Sequence, residues 1–187
     1  LRVAPAGSRV CAAAATLHDG PLFFVGAADG TLRTVAAEAN VSFDDAQKRT
    51  VTMKLEAGEP LAVRDDGPVE HVAAQVFDGE KAYVAFAGPR HVGLARFKTD
   101  SDRVRVARLD EPSLWTPGAD VSCVSVALIA DEVRVYAGLT DGRVVRWDAG
   151  WTGDPVLHES IDAGRDVVRA LPVVSGGHTL VTGPAGA

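Results

Sequence analysis

The sequence is short of cysteine, lysine, aromatic residues and long apolar runs, and each shortage excludes something. Two cysteines in 187 residues, Cys11 and Cys123, are too few for a disulfide-stapled scaffold. No apolar stretch approaches the eighteen or so residues a membrane-spanning helix needs. Lysine occurs four times against fifteen arginines, and the net charge is -6 at pH 7. That balance lacks the clustered cations that hold nucleic-acid phosphates or anionic lipid, so neither is an expected partner. The arginine bias is that of a GC-rich coding sequence, expected to be bacterial. Methionine occurs once, at Met53, and no basic segment followed by an apolar run opens the chain, so a processed form or an excerpt of a larger, cytoplasmic protein is expected.

Catalytic signatures are missing too. The chain has no G-x-S-x-G elbow, no phosphate-binding G-x-x-x-x-G-K-[ST], no G-x-G-x-x-G after a strand, no H-E-x-x-H and no C-x-x-C. No catalytic residue, cofactor or metal site is therefore nominated. The histidines His18, His71, His91, His158 and His178 are scattered among predicted turns and strand ends. The acidic pairs Asp44–Asp45 and Asp65–Asp66 lack the alternating oxygen ligands of a calcium loop.

What is present is a globular composition, 47% hydrophobic and 24% charged, and an internal repeat. The segments VGAADGTLRTV, AGPRHVGLARF and AGLTDGRVVRW align, and TGPAGA begins a fourth copy. Their shared glycines are Gly26, Gly88, Gly138 and Gly183, at spacings of 62, 50 and 45. Ahead of each glycine lies an alternating apolar run closed by a hairpin signal, as in VCAAAATL-HDG-PLFFVG and VSCVSVALI-ADE-VRVYAG. Behind each complete unit comes another strand candidate: RTVTMKLE, RVRVARLD and PVLHES. The cysteines repeat at the interval of Gly26 and Gly138, which places both thiols at one position of the first strand, as small buried residues. AAEANVSFDDAQKR is expected to be a loop.

Four short antiparallel strands per unit predict an all-β chain of β-propeller blades. The stretch VRALPVVSGGHTLVTGPAG resembles the first two strands of a WD40 repeat. VRVYAGLTDGRVVRWDAG resembles the second and third, ending on Trp147-Asp148, the dipeptide of that family's name. Asp29 and Asp141 stand where such repeats place a turn aspartate. The resemblance is divergent: no Gly-His pair precedes a first strand, Gly177-His178 falls in a hairpin, and one unit alone ends in Trp-Asp. It implies a single domain, 1–187, with blades near 5–56, 67–110, 119–161 and 165–187, the last completed by strand 1–4. That arrangement is either a closed four-bladed ring or an excerpt of a larger ring of about seven blades. An excerpt is expected to associate with a missing propeller half or with further copies of itself, because open strand edges seek strands.

Partners of such folds dock where the outer strand of one blade leads into the inner strand of the next. The resemblance places Arg9, Glu70, Asp120, Asp166 and Arg169 there, a mixed-sign ring suited to protein or peptide. Trp115 and Trp151 lie in Gly/Pro-rich connections, where tryptophan can anchor a partner, whereas Phe97 and Trp147 end third strands and are expected between blades. The reading is a non-catalytic interaction scaffold. The alternative is a small-ligand propeller, a sugar or lactone hydrolase or lyase or a lectin-like binder, working through its central channel.

Overall fold

The computed structural model describes residues 10–18, 20–63, 67–77, 81–99, 106–108, 111–129, 132–149, 156–162, 173–174 and 178–179. Among them there is no helix, and hence none long and apolar enough to cross a membrane. The strands form two antiparallel sheets of five strands, one of four, and a two-stranded hairpin. The first sheet holds β1 (Val10–His18), β2 (Gly20–Ala27), β3 (Thr31–Phe43) and β4 (Arg49–Ala57), in sequence order, and β5 (Leu61–Ala62) also pairs with β3. The second holds β6 (His71–Phe77), β7 (Lys81–Gly88), β8 (His91–Thr99), β9 (Val106–Arg108) and β10 (Ser113–Trp115), the last two both on the outer edge of β8. The third holds β11 (Val121–Ile129), β12 (Glu132–Leu139), β13 (Arg143–Ala149) and β14 (Val156–Asp162). A short hairpin of β15 (Val173–Val174) and β16 (His178–Thr179) follows.

The all-β expectation holds, and the sheets stack through period-2 alternation. On β7, Ala82, Val84 and Phe86 join a core with Leu22, Phe24 and Leu32 of the first sheet. Tyr83, Ala85 and Ala87 face the other way, into a core with Val133, Val135, Ala137 and Trp147 of the third. The middle sheet is thus apolar on both faces, and its second strand is buried from Ala82 to Gly88. Gly93 lies opposite Phe86 in the β7–β8 ladder, and the ring covers it so closely that an added Cβ would fall 2.2 Å from Phe86 Cζ.

The first strands of successive sheets lie side by side, β6 between β1 and β11, and β15 approaches β11. Two side chains tie β6 to β11. The Gln75 amide oxygen accepts from the Leu128 N–H at 3.3 Å, and His71 is hydrogen-bonded to the Val121 backbone. Burial pushes the His71 imidazole below its ordinary value of 6.5, against the opposing pull of Glu70. A base held low in the fold binds its proton more readily in the unfolded chain. Stability is then full above pH 6.5 and falls as the pH drops from there toward the lower folded value. His71→Gln should remove that part of the acid sensitivity: between pH 7.5 and 5.5 its melting temperature should fall less than that of the wild type, and parallel curves would contradict it.

Three expectations need correction. AAEANVSF is not a loop: it prolongs β3, and with β4 it forms a long hairpin arm, paired from Val35–Ala57 out to Phe43–Arg49. Its alanines and glutamate mimic a helical composition, but Ala39, Val41 and Phe43 alternate with Asn40 and Ser42 as a strand requires. Second, the outer strand of the middle sheet is split: β9 pairs with Phe97–Thr99 and β10 with Val92–Leu94, so Trp115 sits in a strand, not a connection. Third, the cysteines are not equivalent. Ala12 pairs with Gly26 and Cys123 with Gly138, while Cys11 falls at the bulge. In the middle sheet the partner at that point is Ala87, opposite His71, one residue before Gly88. A one-residue offset exchanges the faces, so alignment on Gly88 sets the middle unit out of register with the other two.

Candidate functional site

The links into the second and third sheets are each fastened to the preceding sheet's second-to-third-strand turn. The Val69 N–H donates to the Ala27 carbonyl at 3.0 Å, and the Val121 N–H to the Pro89 carbonyl at 2.8 Å. Gly26 permits this approach, since a Cβ there would lie 2.5 Å from Val69 Cγ1 and 2.9 Å from its carbonyl oxygen. The result is one end of the stack where turns and links meet.

The turns at this end are built alike. Ala27–Gly30 and Leu139–Gly142 each close with a glycine N–H donating back at 3.2 Å. Gly30 has φ 78° and Gly142 φ 89°, left-handed values that favour glycine. Asp29 Oδ1 accepts from the Thr31 N–H at 3.2 Å and hydroxyl at 2.6 Å. Asp141 accepts from the Arg143 N–H at 3.1 Å and Nε at 2.8 Å. Both aspartates therefore brace their own turns, in the side-chain-to-backbone manner of an Asx turn. The guanidinium of Arg143 holds the Asp141 carboxyl below its ordinary value.

Between the middle and third sheets this end opens into a cleft of about 370 Å³ lined by Arg90, Thr116, Gly118, Ala119 and Asp120. Arg90 Nε and Asp120 Oδ1 are 3.3 Å apart, both exposed. Arg143 Nη2 lies 3.9 Å from where a Cβ on Gly118 would stand, which brings the Asp141–Arg143 pair to the cleft's edge. The Arg90–Asp120 pair thus lines the opening, and the Asp141–Arg143 pair stands beside it. Asp120 is held by its backbone as well, since its carbonyl accepts from the Thr140 N–H at 2.9 Å.

Of the residues nominated from sequence, Glu70 and Asp120 stand at this end, though not at equivalent positions. Asp120 immediately precedes Val121, whereas Glu70 follows Val69 and donates its N–H to the Ala87 carbonyl at 2.7 Å. Trp115 is half-buried and stacks on Trp147, centroids 5.4 Å apart and planes 15° from parallel. It feeds the core between the sheets while Thr116, Gly118, Ala119 and Asp120 reach the cleft. Phe97 and Trp147 are buried between sheets as expected. Arg9, Trp151, Asp166 and Arg169 lie outside the described residues.

Sequence reasoning missed Arg90, Thr116, Gly118 and Arg143. The usable signal was the turn triplet Asp141-Gly142-Arg143, whose aspartate was read as structural without asking what its neighbour presents. Cys123 is buried, and burial pushes its thiol up, so it is a packing residue at neutral pH rather than a nucleophile. Among the described residues no three His, Cys, Asp or Glu side chains gather as metal ligands. No protein-family model matches the chain, and no curated protein matches it significantly.

Proposed function

We propose that this chain is a WD40-like β-propeller module that binds a protein or peptide across the Arg90–Asp120 end of its sheets, without catalysis. One observation carries the reading: the links into the second and third sheets are bonded to the preceding sheet's second-to-third-strand turn, beside first strands that run together. A radial stack of four-stranded blades has that connectivity, and it gathers polar side chains from several blades on one rigid end. The two ion pairs, Arg90–Asp120 and Arg143–Asp141, suit a peptide of mixed charge, whose backbone and side chains supply both donors and acceptors. The chain's net charge of -6 favours such a partner over a polyanion.

The test is selection of binders from a random-peptide display library on the immobilised protein. Enriched peptides should lose at least about tenfold in affinity, a difference of about 1.4 kcal/mol, on the double reversal Arg90→Glu with Asp120→Arg. The fold should survive, because an exposed ion pair contributes at most about 1 kcal/mol. No enrichment, or equal binding by the reversed protein, would sink the proposal.

A further inference from the structure

The hairpin arm has two unlike faces. Directly paired residues of an antiparallel ladder point to the same side. One side therefore carries Glu38 with Lys54, Asn40 with Thr52 and Ser42 with Thr50, and Glu56 forms an ion pair with Lys54. The other side carries Ala37 with Leu55, Ala39 with Met53, Val41 with Val51, and Phe43 with Arg49. This second side is apolar yet open to water: Phe43 is 63% exposed, Met53 59%, Val51 49%, Leu55 46% and Val41 42%.

The arm is a built element. Its tip is tied by Asp44, whose Oδ1 accepts from the N–H groups of Ala46 at 3.0 Å and Lys48 at 2.8 Å, while Asp44 N–H donates to the Lys48 carbonyl at 3.2 Å. Gln47 there adopts φ 62°, a conformation uncommon outside glycine and costly unless the turn requires it. At its base Gly58 lets the chain press on Thr34, to which it donates at 2.8 Å. A rigid ribbon with a bare apolar face is a docking element.

We infer that the occupant of this face is the same face of a second copy of this chain. The residues taper in a self-complementary way. Toward the tip, the β3 row grows from Ala37 and Ala39 to Val41 and Phe43, while the β4 row shrinks from Leu55 and Met53 to Val51. Two arms laid antiparallel about a two-fold axis set Phe43 over Ala37, Val41 over Ala39, and Met53 over Val51, large on small at every step. Leu55 then lies under Arg49, whose aliphatic stem can cover it with the guanidinium in water. With Phe offering about 200 Å² at full exposure, each stripe leaves roughly 500 Å² bare, so a fully closed pair buries up to about 1,000 Å², the threshold for specific association. A lipid surface fits less well, because Asp44, Asp45, Glu38 and Glu56 offset Lys48, Arg49 and Lys54 and leave no cationic excess.

Sedimentation of the full chain across the micromolar range tests this, with circular dichroism to confirm that each variant is folded. The wild type should form dimers. Met53→Glu and, separately, Val51→Lys should raise the dissociation constant about tenfold or more, while Thr52→Glu, on the polar face of the same strand, should leave it unchanged. A monomeric wild type, dimers that survive both apolar-face variants, or equal weakening by Thr52→Glu, as strand-edge pairing would give, overturns the inference.

Discussion

Replacing Trp147 by alanine should cost about 3–5 kcal/mol of unfolding free energy. Its side chain is 3% exposed and lies in the core shared by the middle and third sheets, with Val133, Val135 and Leu139 of its own sheet and Tyr83, Ala85 and Leu94 of its neighbour. Truncation removes the burial of a large indole and leaves a cavity that two rigid ladders cannot collapse to fill. It also strips the stacking face from Trp115, worth about 0.5–1.5 kcal/mol beyond area. For a domain with about 5–15 kcal/mol in hand, that is about a fifth of the total or more. Urea unfolding should show a lower midpoint at unchanged slope. Trp115→Ala should cost less, because its ring is only half-buried. A loss below about 0.5 kcal/mol at Trp147, the range of surface substitutions, would mean that the two sheets do not share this core.

Gly26→Val should be destabilising by about 3 kcal/mol, for a different reason. No cavity is made; the clash is with the chain that leads from the first sheet to the second. The new Cβ would meet Val69 Cγ1 at 2.5 Å and, more seriously, the Val69 backbone oxygen at 2.9 Å. A side chain can change rotamer, but that backbone is fixed by the Val69 N–H bond to Ala27 and by Val69 itself, wholly buried in the core between the first two sheets. Relief requires the link to lift, breaking the bond that fastens the second sheet to the first. Amide exchange at Val69 should accelerate more than at Val121, which is fastened to Pro89 instead. A variant as stable as the wild type, or uniform acceleration at both amides, would contradict the fastening.

How much of this was legible in the sequence depends on whether the signal was local. The turns Ala27–Gly30 and Leu139–Gly142 were readable because Asp-Gly carries its own geometry, and β1, β2, β11 and β12 followed from the runs around them. The Pro89-Arg90 turn was read in the wrong register because the alignment was hung on Gly88, whereas the ladder is set by Ala87 opposite His71. Glycine marks flexibility or close approach, not phase, and Gly26 and Gly88 serve different ends. RTVTMKLE was legible as the strand that became β4, but its partner, the outer half of β3, was missed because it is exposed and its alternation looks like polar linker with scattered apolar residues. The cleft was least legible of all, because Arg90, Thr116, Asp120 and Arg143 come from three separate turns and links that only sheet stacking brings together.

The proposed partner-binding end is tested most directly by hydrogen exchange on the complex with a library-selected peptide. Protection should appear at residues 87–90, 116–121 and 139–143, where backbone bonds and side chains of two sheets surround the cleft, and the arm at 38–55 should be unaffected. Protection confined to β6 and β11, or absent from the cleft altogether, would contradict the proposed site.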